Sequence, residues 1–353
     1  MANHVTLFVG TYTRQGSEGI YTCVMDVATG ALELRGITGN IENPSFLAID
    51  PAGEHLYAVC ETGDESDHGG VTAFGINDDG SLNELNRQST GGPGPCHLAV
   101  DAQDTLVIAA NYKGGSVATL SLRPDGILAK RSGFVQHEGT SVNPDRQDQP
   151  HAHSVTINAS NNRAYVCDLG TDTIVVYDIN YDLAQLKHAV TIAAQPGQGP
   201  RHFAFHPSRP FAYVINELGS TVAVYTVDSQ DGSLSERQLI STLPAEWSGS
   251  NTTADVHVSP DGRFLYGSNR GHDSIALFQI NTTTGELAPI GHEPSQGQTP
   301  RNFAISPDGN FLLAENQDSG TIRTFAIDSN SGQLNDTGHV LEIPAPVCIV
   351  FHP

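Results

Sequence analysis

The sequence predicts an all-β fold, a closed ring of seven four-stranded antiparallel blades, and three observations predict it. One unit recurs along the chain, its starts are evenly spaced, and the two chain ends look like complementary parts of a single unit. The unit is clearest near residue 301. Arg301-Asn302-Phe303-Ala304-Ile305 is a short alternating strand and Ser306-Pro307-Asp308-Gly309 a turn; Phe311 to Ala314 and Gly320 to Ile327 are two further strands. The same opening recurs at Ser45, Cys96, His153, Arg201, Ala254 and Val347. Starts at 45, 96, 153, 201, 254, 301 and 347 are separated by 51, 57, 48, 53, 47 and 46 residues, the range of β-propeller blades. Dividing 353 residues by seven leaves about 50 per blade, so residues 1–353 are expected to form a single domain.

In chain order, Val5 to Tyr12 alternates like the second strand of a blade, as in Tyr57-Ala58-Val59 or Tyr213-Val214-Ile215. It is too short for a signal peptide and no basic residue precedes it. The C-terminal Val347 to Pro353 matches a first strand. The two ends are therefore expected to share a blade, closing the ring and removing exposed sheet edges. Linkers between blades are short, except that Gln136 to Pro150 forms a longer polar loop before His153. Such a loop is either functional, for instance a lid, or a surface excursion. Pro244 to Thr253, carrying the lone Trp247, is similarly placed, so both pieces should lie on one face of the ring.

Composition narrows the function classes. The formal charge is −22, with 14 Arg and 3 Lys, which repels polyanions and argues against nucleic acid. No run of 18 apolar residues suggests a membrane span. The cysteines are odd in number and lack CxxC spacing (Cys23, Cys60, Cys96, Cys167, Cys348). They read as free thiols of a reducing compartment, hence a cytoplasmic protein. The protein is expected to be a monomer or weak homodimer.

Antiparallel connectivity puts the start of each first strand and the end of each second strand on one rim. Adding 16 to the first six starts gives Glu61, Tyr112, Leu169, Glu217, Arg270 and Gln317, with Tyr12 equivalent in the shared blade. The mouth of the channel is then lined by these residues and by Ser45, Cys96, His153, Arg201, Ala254, Arg301 and Val347. In a chain this acidic, Arg201, Arg270 and Arg301 at one rim point to a bound anion; the alternative is an ordinary polar rim. His153 is either functional or a histidine satisfied by backbone. Glu217 is a general base if neighbouring arginines leave its pKa high enough, and otherwise a salt-bridge partner of Arg201 or Arg270. His151, Glu61, Tyr112 and Gln317 complete the candidate substrate-binding set. Asn111, Asp168, Asn216, Asn269 and Asn316, each one place before the rim residue, are assigned to the turn; a calcium site there is disfavoured beside three arginines. No Gly-x-Ser-x-Gly elbow, phosphate-cradling glycine loop or zinc-type Cys/His spacing occurs. No cofactor and no metal are expected.

Several runs together resemble the seven-bladed propeller lactonases typified by bacterial 6-phosphogluconolactonase. They are Asn143-Pro144-Asp145-Arg146-Gln147 through Pro150-His151-Ala152-His153-Ser154, Gly199-Pro200-Arg201-His202, Asn216-Glu217-Leu218, Ser268-Asn269-Arg270-Gly271-His272-Asp273 and Thr299-Pro300-Arg301-Asn302. The resemblance extends to fungal carboxy-cis,cis-muconate lactonising enzymes, whose proposed active-site residues fall on His153, Arg201, Glu217 and Arg270. It implies hydrolysis of a small anionic sugar lactone, most simply 6-phosphogluconolactone in the pentose phosphate pathway, with His153 or Glu217 activating water. Lactone formation from a carboxymuconate-type dicarboxylate and a non-catalytic binding platform are the alternatives.

Overall fold

A computed structural model describes residues 4–63 and 68–353, with no helix among them. Twenty-eight strands form seven four-stranded antiparallel sheets. Six sheets are consecutive in sequence. The seventh pairs the C-terminal strand Pro346–Phe351 with His4–Thr11, followed by Ile20–Asp26 and Leu32–Thr38, so the chain ends close the ring as expected.

Burial falls from the axis outward. In the blade that starts near His153, the second strand Arg163–Asp168 is almost wholly buried, whereas the outermost strand Gln185–Ala193 alternates exposed and partly buried residues. The core is therefore not one central mass. It consists of seven apolar layers pressed between neighbouring blades, such as Phe211, Tyr213, Ile215 and Val222 against Val256, Leu265 and Phe278.

A repeated polar tie fixes four of the seven blades against the next. Tyr57, Tyr165, Tyr213 and Tyr266 donate their phenolic hydrogens to the carbonyls of Gly126, Gly232, Gly285 and Gly332 at 2.9–3.1 Å, satisfying a buried hydroxyl inside an apolar layer. The acceptor must be glycine at Gly332. Its φ is 73°, and a Cβ there would come within 2.3 Å of the Phe264 ring.

Two regularities position the channel mouth. The N–H of each residue 16 places after a repeat start bonds the carbonyl two places before that start, as in Glu61 to Asn43, Tyr112 to Gly94, Leu169 to His151, Glu217 to Gly199 and Gln317 to Thr299, at 2.7–3.0 Å. The same register pairs Arg270 with Thr252 and ties Tyr12 to Ala345. The second regularity is a β-bulge. Pro200 pairs with Asn216 and His202 with Ile215, so Arg201 is the extra residue. Cys96, His153, Arg301 and Val347 are the extra residues in their blades in the same way. A bulge re-aims one side chain without ending the strand.

Candidate functional site

Glu217 is the hub of the mouth and is buried, 4% exposed. Its Oε2 accepts from Arg201 Nε at 2.9 Å and forms an ion pair with Arg270 Nη2 at 2.9 Å, while Arg270 Nη2 donates to the Thr253 carbonyl at 2.7 Å; its Oε1 accepts from Arg146 Nη2 at 2.5 Å. Three guanidinium groups thus converge on one carboxylate. Burial raises the pKa of Glu217, but Arg270, Arg201 and Arg146 outweigh it and hold the carboxyl well below the usual carboxylate range. Of the two readings open for Glu217, the geometry matches the salt-bridge partner, of Arg201 and Arg270 together. At neutral pH it is a fixed anion and a weak base.

His153 lies beside the hub, with Nε2 3.8 Å from Glu217 Oε2 and Nδ1 3.9 Å from Cys96 Sγ. It is 5% exposed. Burial, reinforced by Arg201, holds its pKa well below the ordinary histidine value. The imidazole is therefore neutral at pH 7 and keeps a lone pair. Arg201 is buried, and burial together with Arg270 and Arg301 lowers its pKa to about 10, still charged near neutrality.

Across the mouth, Glu61 accepts from Tyr12 Oη at 2.9 Å and from the Ser45 hydroxyl. Arg301 lies over the Tyr12 ring, 5.3 Å from its centroid. Among the described residues it has no hydrogen-bond or ion-pair partner. Arg270 Nε is likewise buried without a partner. Four guanidinium groups therefore face two carboxylates, leaving positive charge and free donors at one rim of a strongly acidic protein.

The structure brings His153, Arg201, Glu217 and Arg270 into one network, with Glu61, Tyr112 and Arg301 around it. His151 and Gln317 stand one step back. His151 stacks on Tyr112 at 4.4 Å and bonds its backbone carbonyl through Nδ1 at 2.8 Å, whereas Gln317 Nε2 donates to Asp318 Oδ1 at 2.9 Å. Asn111, Asn216, Asn269 and Asn316 reach across their hairpins to Ser116, Thr221, Ser274 and Thr321. Among the described residues no group of His, Cys, Asp and Glu has the geometry to hold a metal ion. All five cysteines are free and buried.

Arg146 is the residue that sequence reasoning left out of the site. It reaches in from the long loop, donating to Glu217 and, at 3.1 Å, to Tyr112 Oη. The loop is pinned at both ends by one carboxylate: Asp168 Oδ2 meets His137 Nδ1 at 2.6 Å and Oδ1 accepts from His151 N at 2.8 Å. Gln147, fully buried, donates to the Leu169 carbonyl at 2.9 Å. The loop is thus a packed platform for Arg146. Its signal in the sequence was an arginine carried by the longest interblade linker of a chain poor in basic residues.

Next to Arg201, through His202, lies a cavity of about 380 Å³, lined by Phe46, His97, His202, Asp255, His257 and Asn302 among others.

A family model described as "Lactonase, 7-bladed beta-propeller" matches residues 6–351. The chain is 36% identical over 297 residues to a 6-phosphogluconolactonase of Bacillus subtilis strain 168, covering 84% of this chain and 83% of the relative. It is 37% identical over 304 residues to a 6-phosphogluconolactonase of Formosa agariphila, covering 84% and 85% of the two chains. Among solved structures, the periplasmic gluconolactonase PpgL of Pseudomonas aeruginosa superposes with a TM-score of 0.93 at 32% identity over 99% of both chains.

Proposed function

Because this chain belongs to the seven-bladed β-propeller lactonase family, we propose that it opens 6-phosphogluconolactone with water at the arginine-lined mouth. The observation that carries the choice of substrate is the surplus of guanidinium groups, with Arg301 unpartnered above Tyr12. A phosphorylated lactone brings the charge that this surplus lacks.

In this reading His153 is the general base. Its neutral imidazole takes a proton from the attacking water, and Glu217 at 3.8 Å stabilises the imidazolium that forms. Arg201 and Arg270 donate to the oxyanion as the acyl carbon becomes tetrahedral. Collapse expels the ring oxygen, which leaves as a hydroxyl after receiving the proton from His153. Arg301 and Arg146 hold the phosphate. Glu217 serves as the anchor that keeps the arginines in place before substrate arrives.

The names of the curated relatives support a place in the pentose phosphate pathway, and the five free thiols support a reducing, cytoplasmic setting. The likeness to a gluconolactonase favours a second reading, in which the sugar is unphosphorylated. Comparing kcat/KM for 6-phosphogluconolactone and glucono-δ-lactone at neutral pH, above spontaneous opening, separates the two. A preference of at least about tenfold for the phosphorylated lactone is expected from one charge-assisted contact. Equal rates favour the second reading, and no acceleration of either removes both.

A further inference from the structure

The guanidinium of Arg201 is held on three sides. Nε donates to Glu217, while Nη1 donates to the Ala254 carbonyl at 2.6 Å and to His202 Nε2 at 3.1 Å. Nη2 has no hydrogen-bond partner among the described residues and is the guanidinium's one uncommitted nitrogen. His202 in turn meets Asp255 Oδ1 through Nδ1 at 2.7 Å. Arginine can only donate, so His202 Nε2 must be the acceptor. An ionised carboxylate can only accept, so Nδ1 carries the hydrogen.

Asp255 is itself fixed. It accepts from His257 Nε2 at 2.8 Å, from Val256 N at 2.9 Å and from the Asn302 amide. It is 3% exposed and His202 is 8% exposed. Neither residue is hydrogen-bonded to Glu217 or belongs to the rim set; both line the cavity beside it.

We propose that His202 and Asp255 are positioning residues: Asp255 selects the Nδ1–H tautomer of His202, whose Nε2 lone pair then locks the Arg201 guanidinium so that Nη2 points at the reacting oxygen. The logic is that of a carboxylate orienting an imidazole, here serving an arginine rather than a nucleophile. The inference rests on the lactone hydrolysis proposed above, since it assigns Arg201 a donor role in that reaction. The titratable and charged groups around His202 are Arg201, Asp255, His257 across Asp255, His97 at 5.3 Å and His153 at 5.6 Å between ring centroids. Among the described residues Asp255 is the one hydrogen-bond partner of His202 Nδ1.

Two measurements test it. Nitrogen NMR of the intact protein with labelled histidine, assigned by loss of a signal in His202→Gln, should show the Nδ1–H tautomer at pH 7; an Nε2–H tautomer overturns the proposal without reference to activity. In kinetics, His202→Phe keeps an aromatic ring, somewhat larger, but neither hydrogen bond, and should lower kcat by about 10–100-fold while KM moves little. His202→Gln, whose amide can accept from Arg201 and donate to Asp255, should recover most of that loss. Asp255→Asn, which frees the tautomer, should resemble His202→Phe and stands in for it should the phenylalanine variant not fold. A folded His202→Phe with wild-type kcat overturns the positioning role alone, whereas a wild-type protein that opens no lactone removes the function proposal and this inference with it.

Discussion

Glu217→Gln tests the hub of the site, because it removes the charge while preserving shape. In the wild type, Glu217 is 4% exposed, and its buried partners are Arg201 at 2% and the Arg270 side chain at 13%. The Arg146 side chain is 37% exposed and contributes little. Removing one partner of a buried ion pair costs about 3–5 kcal/mol, because the remaining charges stay buried and unpaired. The two buried arginines share one carboxylate, so the cost is counted once rather than twice. With an unfolding entropy of roughly 2.1 cal/mol/K per residue, a chain of 353 residues changes Tm by about 1.3 °C per kcal/mol. Calorimetry should therefore show a Tm lower by about 4–7 °C. Inorganic phosphate should restore part of the loss, raising Tm more in the variant than in the wild type, because it supplies the missing anion. A variant that melts within about 1 °C of wild type and responds identically to phosphate would falsify the account of Glu217 as the anchor of the arginines.

Three further outcomes follow from the same geometry. His153→Ala should lower kcat by about 10²–10⁴-fold with a modest change in KM, as expected on losing a general base, and a wild-type kcat would assign the proton transfer elsewhere. Arg301→Met should raise KM for 6-phosphogluconolactone by roughly 10–150-fold while leaving glucono-δ-lactone nearly unaffected, the worth of one charged contact to phosphate; equal effects on both substrates would move the phosphate away from Arg301. Stability should fall on acidification. Burial, with Arg201, lowers the pKa of His202 to about 4, so between about pH 6.5 and 4 the unfolded chain takes up a proton that the native state does not. The native state is favoured above that window and loses on the order of 3 kcal/mol through it. His257, whose pKa is raised by Asp255 against the effect of burial, works in the opposite direction, but His153 and His97 share the sign of His202. Urea midpoints that stay level from pH 7 to 5 would contradict this.

Much of the architecture was legible because a repeated blade writes its period into the sequence. The shared terminal blade followed from Val5 to Tyr12 lacking a first strand and Val347 to Phe351 lacking a second. The offset of 16 worked because each such residue is held by the same backbone hydrogen bond, as with Glu217 to Gly199 at 2.7 Å. The bulges were not legible: one extra residue leaves the apolar alternation of a short strand intact. Strict alternation sends residues 201 and 202 to opposite faces, whereas Arg201 Nη1 and His202 Nε2 are 3.1 Å apart. That is why His202 and Asp255 escaped notice. Arg146 escaped because a loop residue has no repeat position to give it an address. Glu217 was placed correctly with its role open, since its protonation depends on how many guanidinium groups reach it, a count that spacing alone does not supply.

In the proposed reaction the arginine surplus and His153 act on one substrate. A crystal structure with the product 6-phosphogluconate bound measures this directly. The phosphate should lie within about 3 Å of Arg301 and the new carboxylate at Arg201 and Arg270, with the carboxyl carbon facing His153. Product lodged instead in the cavity beside His257, or outside the ring with Arg301 untouched, would contradict it.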